Sequence, residues 1–268
     1  MNINSIRGML TDEALKCFME IVYVDEIDST NAEAARRIDA GKRENWVLVT
    51  TAQTAGRGRR GKIWLSPQDA GIYMSLVYRF NVSAENLQSL SLLTAISLHE
   101  SLSQLGVEGL QLKWPNDLLH GKKKLAGILL DLRTCQTETY MVFGIGINTN
   151  LPSSVMAQVD RPVTDINTIY ASPIERTAIV ASLINRLSEN LNIFLKHGFA
   201  SFKDSWNKLD CYLGADIVIQ NGETRVTGKS AGVDEQGGLL LQSSSGSRTI
   251  NGGELFPSLR ELNEASNL

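Results

Sequence analysis

The chain has 268 residues and a mass of 29.4 kDa, room for one large domain or a main domain with a smaller appendix. With 43% hydrophobic and 21% charged residues, 6 prolines and 22 glycines, it is not collagen-like, disordered or a disulfide scaffold. The 26 Lys and Arg against 29 Asp and Glu leave a formal charge of −3, so no whole-molecule field draws the protein to nucleic acid or an anionic membrane, and any basic site is local.

In chain order, residues 1–20 carry Arg7, Asp12, Glu13, Lys16 and Glu20, which interrupt any apolar run long enough for a secretory signal. No stretch reaches the ~18–20 apolar residues of a membrane span. Cys17, Cys135 and Cys211 form no CxxC pair and suggest neither a disulfide framework nor a zinc site. A cytoplasmic protein without a bound metal is expected.

Ile21–Val24 reads as a strand, Asp28-Ser29-Thr30 as a helix cap, and 31–40 as a helix stopped by Gly41. Trp46–Thr51 is a buried-type strand. Gly71–Phe80 alternates with period 2 and reads as a central strand. Apolar residues at helical spacing predict a helix over Leu87–Leu105, ended by Gly106. Leu110–Trp114, Lys124–Asp131 and Tyr140–Asn148 read as strands, the first broken by Pro115-Asn116-Asp117 and parted from the second by His120-Gly121-Lys122-Lys123. Pro173 and Glu175 open a helix to about Lys196, with Ile179, Leu183, Leu187, Leu191 and Phe194 on one face, and helix resumes over Phe199–Leu209. Beyond Leu213, short β segments punctuated by Asn221-Gly222 and Gln236-Gly237-Gly238 predict a small antiparallel barrel or roll of four to six strands.

One dense basic cluster stands out, Gly56-Arg57-Gly58-Arg59-Arg60-Gly61-Lys62, placed after a strand. Glycines let backbone N–H groups approach a ligand, and arginines present forked donors matched to phosphate or carboxylate. An anionic ligand is expected, although a solvated loop or an RNA-contacting patch would also account for the composition. The segment lacks GxxxxGK[ST], and its fit to GxGxxG does not open a helix as a dinucleotide-binding turn must. Lys113-Trp114-Pro115-Asn116-Asp117-Leu118 is ordinary turn chemistry when taken alone. Lys124 enters an otherwise apolar strand beside Gly127, where it would be a point charge for an anion if it faced inward. Gly144-Ile145-Gly146 inside a strand implies a bulge or a close backbone approach.

Taken together and in order, Ser29-Thr30-Asn31, Gln53 with GRGRRG and Trp64, KWPNDL, KLAGIL and GIGIN resemble the biotin protein ligases, over about residues 23–150. The resemblance implies an α+β fold: a mixed-sheet catalytic domain with flanking helices over 22–213, after a segment 1–21, and a small Src-homology-3-like β-barrel domain over 214–268. It implies biotin and ATP as substrates, Mg²⁺ accompanying ATP, a biotinyl-5′-AMP intermediate, and transfer of biotin to one lysine of a biotin carboxyl carrier domain of acetyl-CoA carboxylase or another biotin-dependent carboxylase. By the same resemblance Ser29, Thr30, Asn31, Gln53, Arg57, Gly58 and Arg59 line the biotin and adenylate site. Lys124 neutralises the carboxylate as it attacks the α-phosphorus, Asp117 holds Lys124 or the second substrate, and Arg59 acts with them. Trp64 lies near adenine, Asn116 near phosphate or Mg²⁺, and Lys113 and Asn148 close to the nucleotide. No nucleophile–base arrangement is visible among the cysteines and histidines, in keeping with catalysis by positioning and electrostatics.

Bifunctional members of that family carry a winged helix-turn-helix ahead of the ligase domain; about 22 residues precede the first strand here, so no operator binding is expected. No membrane partner is expected either, and a homodimer through an exposed strand edge is allowed by the fold. Two other readings stand: a lipoate or octanoate ligase of the same fold, and a nucleic-acid-binding module using the arginine loop, against which the lack of aromatic residues among Arg57, Arg59 and Arg60 argues.

Overall fold

The computed structural model describes residues 1–256 apart from 82–86, 88, 136–137, 171, 173 and 244–245. Pro173, Ser244 and Ser245 and the end of the C-terminal unit, 257–268, therefore lie outside the described residues.

The centre of the molecule is a seven-stranded sheet in the order β1-β2-β3-β7-β6-β5-β4. Its strands are β1 (Glu20–Ile27), β2 (Trp46–Gln53), β3 (Gly71–Phe80), β4 (Leu110–Lys113), β5 (Asp117–His120), β6 (Lys123–Cys135) and β7 (Glu138–Asn148). β1 and β2 run parallel, joined by the helix α3 (Thr30–Asp39), and every other neighbouring pair is antiparallel. The alternation read in β3 is a division between two buried faces. Ile72, Met74, Leu76 and Phe80 belong to the main core, whereas Val77 joins Trp46, Leu48, Tyr140 and Val142 in a second cluster under Ala34 and Ile38 of α3.

The main core is closed by two long helices, α4 (Leu90–Gln104) and α7 (Arg176–His197). The predicted apolar face of α7 is buried in full, from Ile179 through Leu183, Leu187 and Leu191 to Phe194, each such side chain contributing about 1.5–3 kcal/mol. α4 lies between sheet and α7 and is buried on nearly all sides. The polar residues Thr94, Ser97 and Ser101 sit there without penalty, because each hydroxyl donates to the carbonyl four residues earlier at 2.6–2.9 Å. Residues 3–17 form two short helices, α1 (Ile3–Gly8) and α2 (Asp12–Cys17), which pack Ile6 and Ala14 into the same core.

One strand differs from the sequence reading. Asp117–His120 is not part of a turn but is β5, so Trp114-Pro115-Asn116 closes one tight hairpin (β4–β5) and Gly121-Lys122 a second (β5–β6). Four residues between two turn signals are too few to read as a strand; pairing with both neighbours makes them one. After α5 (Ser153–Met156), α6 (Ile166–Ile169) and α7 comes α8 (Lys203–Leu209), whose exit pairs Asp210 with Leu112 of β4. The chain then forms a separate five-stranded antiparallel sheet, order β11-β10-β9-β8-β12. Its strands are β8 (Asp216–Asn221), β9 (Thr224–Val233), β10 (Leu239–Ser243), β11 (Gly246–Ile250) and β12 (Glu254–Phe256).

Candidate active site

On the α3 side of the large sheet, small residues open a trough. Register places Ser75, Gly144 and Leu129 in one cross-strand row and Tyr73, Gly146 and Gly127 in the next. The glycines are required by close approach: a Cβ on Gly144 would lie 2.2 Å from Asn31 Oδ1, and one on Gly146 or Gly127 would lie 2.7 or 2.9 Å from the Trp64 indole. The β6–β7 register runs unbroken through Gly144 and Gly146, so close approach, not a bulge, explains them.

The first turn of α3 forms one wall. Ser29 caps the helix, the Thr30 N–H and hydroxyl both donate to Gln53 Oε1 (2.9 and 3.3 Å), and Gln53 Nε2 donates to Ser66. Asn31 accepts from Ser75 Oγ at 2.6 Å and donates to the Leu129 carbonyl, which ties α3 to two strands, β3 and β6. The opposite wall is the double hairpin. Lys124 Nζ stands 2.6 Å from Asp117 Oδ1, with both side chains largely buried, and 5.1 Å above the Trp64 ring. Burial pushes the Asp117 carboxyl up, but Lys124 and Lys113 outweigh it and hold it below its ordinary range. Lys113 is pulled below the usual lysine range by burial, against the Asp117 charge.

The basic loop is a folded hairpin over this trough. Gly58 N–H donates to the Lys62 carbonyl at 2.7 Å and Trp64 N–H to the Gly56 carbonyl at 3.0 Å, with a 3-10 turn at Arg59–Gly61. Arg60 takes the left-handed conformation (φ 56°), and its guanidinium reaches the Gln220 carbonyl and Asn221 Oδ1 of the small sheet. Arg59 donates to Asn116 Oδ1 (3.2 Å) and the Gly253 carbonyl (3.3 Å), so a single guanidinium bridges the loop, the hairpin and the small sheet. Trp114 Nε1 donates to the Gly237 carbonyl across the same junction.

These groups line an open-mouthed cavity of about 460 Å³, within the usual range for a small-ligand site. All of the sequence-predicted site residues line it: Ser29, Thr30, Asn31, Gln53, Arg57, Gly58, Arg59, Trp64, Lys113, Asn116, Asp117, Lys124 and Asn148. The Asn148 side chain acts on the backbone of its neighbours, its Nδ2 donating to the carbonyls of Thr164 (3.0 Å) and Lys124 (3.4 Å). Trp64 lies on the glycine floor, against Lys124. The sequence reading missed Asp160, Arg161 and Glu254, because a loop and the strand β12, far apart in the chain, bring them here and no local motif marks them. The lining carries Arg57, Arg59, Arg60, Lys62, Lys113, Lys124 and Arg161 against Asp117, Asp160 and Glu254. That surplus of four positive charges in a chain of net charge −3 leaves −7 for the remainder. Such a cavity is built for a polyanion.

Comparison with known proteins names that family. Residues 23–148 match the biotin/lipoate A/B protein ligase family and residues 217–256 the biotin protein ligase C terminal domain. The chain is 34% identical over 241 residues to the bifunctional ligase/repressor BirA of Escherichia coli, covering 88% of this chain and 73% of that protein. It is 31% identical over 239 residues to the biotin–[acetyl-CoA-carboxylase] ligase of Paracoccus denitrificans, covering 85% of this chain and 97% of that one. The chain belongs to the biotin protein ligase family. A solved biotin protein ligase from Aquifex aeolicus, in complex with biotin and ATP, superposes with a TM-score of 0.76 at 30% identity, covering 90% of this chain and all of that one. The seven-stranded sheet, its flanking helices and the small antiparallel sheet are thus the α+β fold of the biotin protein ligases.

Proposed function

We infer that the chain is an ATP-dependent biotin ligase: it condenses biotin with ATP to biotinyl-5′-AMP and pyrophosphate, then passes the biotinyl group to a lysine of a biotin carboxyl carrier domain. The observation that carries the reading is the Lys124–Asp117 pair in the wall of a cavity with four surplus positive charges, in a chain of this family. In the first step a biotin carboxylate oxygen attacks the α-phosphorus, the new O–P bond replaces the bridging P–O bond, and pyrophosphate leaves with the electron pair. Two anions must approach each other for this, so cations fixed in advance lower the barrier. Lys124, oriented by Asp117, stands between carboxylate and α-phosphate; Arg59, braced by Asn116 and Gly253, covers the adenylate. Trp64, which the resemblance put near adenine, packs on the glycine floor against Lys124, so we take it instead, with Ser29, Thr30 and Gln53 at the wall, to receive the ring system of biotin. Arg57 and the Gly58 backbone close over the carboxylate, with Lys113 and Asn148 supporting the nucleotide end. Mg²⁺ enters with ATP. In the second step the loop keeps water from the mixed anhydride until the carrier lysine attacks it.

We take 22–213 as the catalytic unit and 214–268 as the appended one, and a cytoplasmic setting as the one that supplies ATP and carboxylase. Among the described residues no helix is long and apolar enough to cross a membrane. Residues 3–17 pack on α7 and its neighbours, and we assign them no DNA contact; a stoichiometric complex with operator DNA at physiological salt would overturn that part. The outer edge of β1 is open to a second copy, a dimer that sedimentation would detect. Arg59, Arg60 and Lys62 are engaged by the hairpin and the small sheet, which does not suit a free nucleic-acid-binding arm. The test is pyrophosphate release by the whole chain with MgATP, a carrier domain, and either biotin or lipoate. Biotin-dependent release with labelled carrier supports the reading; release with lipoate alone would make the protein a lipoate ligase.

A further inference from the structure

Glu254, from β12 of the small sheet, is touched by three cations. Lys62 Nζ lies 3.1 Å and Arg161 Nη2 3.7 Å from its Oε1, and Arg60 Nη1 lies 4.0 Å from its Oε2. Only the Lys62 contact is a hydrogen bond; both arginines stand off at loose range. Arg161 also pairs with Asp160 Oδ1 at 3.1 Å and feels the charge of Asp117. Here positive charge exceeds negative, at the edge of the cavity and partly shielded from water.

Arg161 is also held in place. The Lys124 N–H donates to the Pro162 carbonyl (2.9 Å) and the Thr164 N–H to the Lys124 carbonyl (3.0 Å), with Asn148 clamping the Thr164 and Lys124 carbonyls. Val163, two residues beyond Arg161, thus bridges Lys124, and Arg161 lines the same cavity near enough for its charge to act on Asp117 and Lys113. On the reading of the chain as a biotin ligase, on which this inference rests, the β- and γ-phosphates of ATP extend from the α-phosphate at Lys124. Arg161, Lys62 and Arg60 line the same cavity as Lys124 and converge on the single carboxylate of Glu254.

We propose that Arg161 binds the leaving pyrophosphate together with Lys62 and Arg60, and that the Glu254 carboxylate occupies that position until the β- and γ-phosphates displace it. Arg161 then neutralises the charge that gathers on the pyrophosphate oxygens as the bridging P–O bond breaks. It has no part in the second step, because biotinyl-AMP carries neither of those phosphates.

The test uses the full chain, with three measurements on wild type, R161A, R161K and E254Q: the KM for ATP in biotin-dependent pyrophosphate release, inhibition by inorganic pyrophosphate, and transfer to a carrier domain from biotinyl-AMP supplied ready-made. R161A should raise the KM for ATP about tenfold, the equivalent of one charge-assisted hydrogen bond of about 1.4 kcal/mol, and weaken pyrophosphate inhibition to match. Its KM for biotin and its transfer rate should stay at wild-type values, and R161K should recover part of the loss. E254Q, lacking the competing charge, should be inhibited by less pyrophosphate. An unchanged KM for ATP in R161A, or an equal loss in the transfer step, would overturn the proposal, as would weaker pyrophosphate inhibition in E254Q. If wild type releases no pyrophosphate with biotin, the ligase reading itself fails; if it does and R161A behaves like it, only the role of Arg161 fails.

Discussion

Replacing Lys124 by Met removes the charge and keeps the length of the side chain that faces Asp117. At 2.6 Å the gross attraction is about 6 kcal/mol at an effective dielectric of ~20. Most of that is offset by the desolvation of two largely buried groups, and removing one partner of such a pair typically costs about 3–5 kcal/mol. Asp117 also feels Lys113 and Arg161, so K124M should fall at the lower end, about 3 kcal/mol, or roughly 6–12 °C in melting temperature. D117N should cost a similar amount, and the double variant less than the two together, with a coupling of about 1–3 kcal/mol. Biotin-dependent pyrophosphate release separates the partners: K124M should lose about 10²–10³ in rate, as when a single transition-state donor is removed, whereas D117N keeps the ammonium and should lose less. Denaturant unfolding followed by circular dichroism gives the first quantity and a coupled pyrophosphate assay the second. If K124M unfolds within about 0.5 kcal/mol of wild type, as surface changes do, or turns over at the wild-type rate, the buried-pair argument is refuted.

Three further outcomes follow from the same geometry. G146A places a methyl 2.7 Å from the Trp64 indole; because Trp64 sits on a loop that can yield, the stability cost should stay near 1 kcal/mol, the low end for overpacking, while calorimetric biotin affinity drops, and unchanged affinity would mean that biotin does not use this floor. R59A breaks the bridge to Asn116 and Gly253, so the complex with biotinyl-AMP should lose its adenylate faster on gel filtration; retention equal to wild type counts against the cover role. Asp210 is pushed up to about 6 by burial, against the bond from the Tyr212 N–H. A folded pKa above the unfolded one favours the protonated native state, so this stabilisation is complete below about pH 4 and lost as pH rises to about 6, in total up to ~3 kcal/mol. D210N should flatten that slope and be the more stable protein at pH 7, and an unchanged slope in urea midpoints would disprove it.

The sequence by itself determined the elements whose pattern is local. Ser29 announces the start of α3, the alternation in Gly71–Phe80 a central strand, and the spacing from Ile179 to Phe194 the buried face of α7, because caps and periodicity act over a few residues. It also carried the candidate site residues from Ser29 to Lys124, through the order of motifs that resembles the biotin protein ligases; taken one at a time, those motifs left a helix cap, a turn or a solvated loop open. What only the tertiary structure decided is which of these groups meet, and on what terms. β5 exists because β4 and β6 flank it; Gly144 and Gly146 are glycines because Asn31 and Trp64, from other segments, lie against them. Arg161, from a loop, and Glu254, from β12, reach the cavity from positions 93 residues apart in the chain. No local preference encodes such meetings. They follow from the order in which the sheet stacks its strands, and they turn one basic loop in an acidic chain into the rim of a cavity with its own counter-charge.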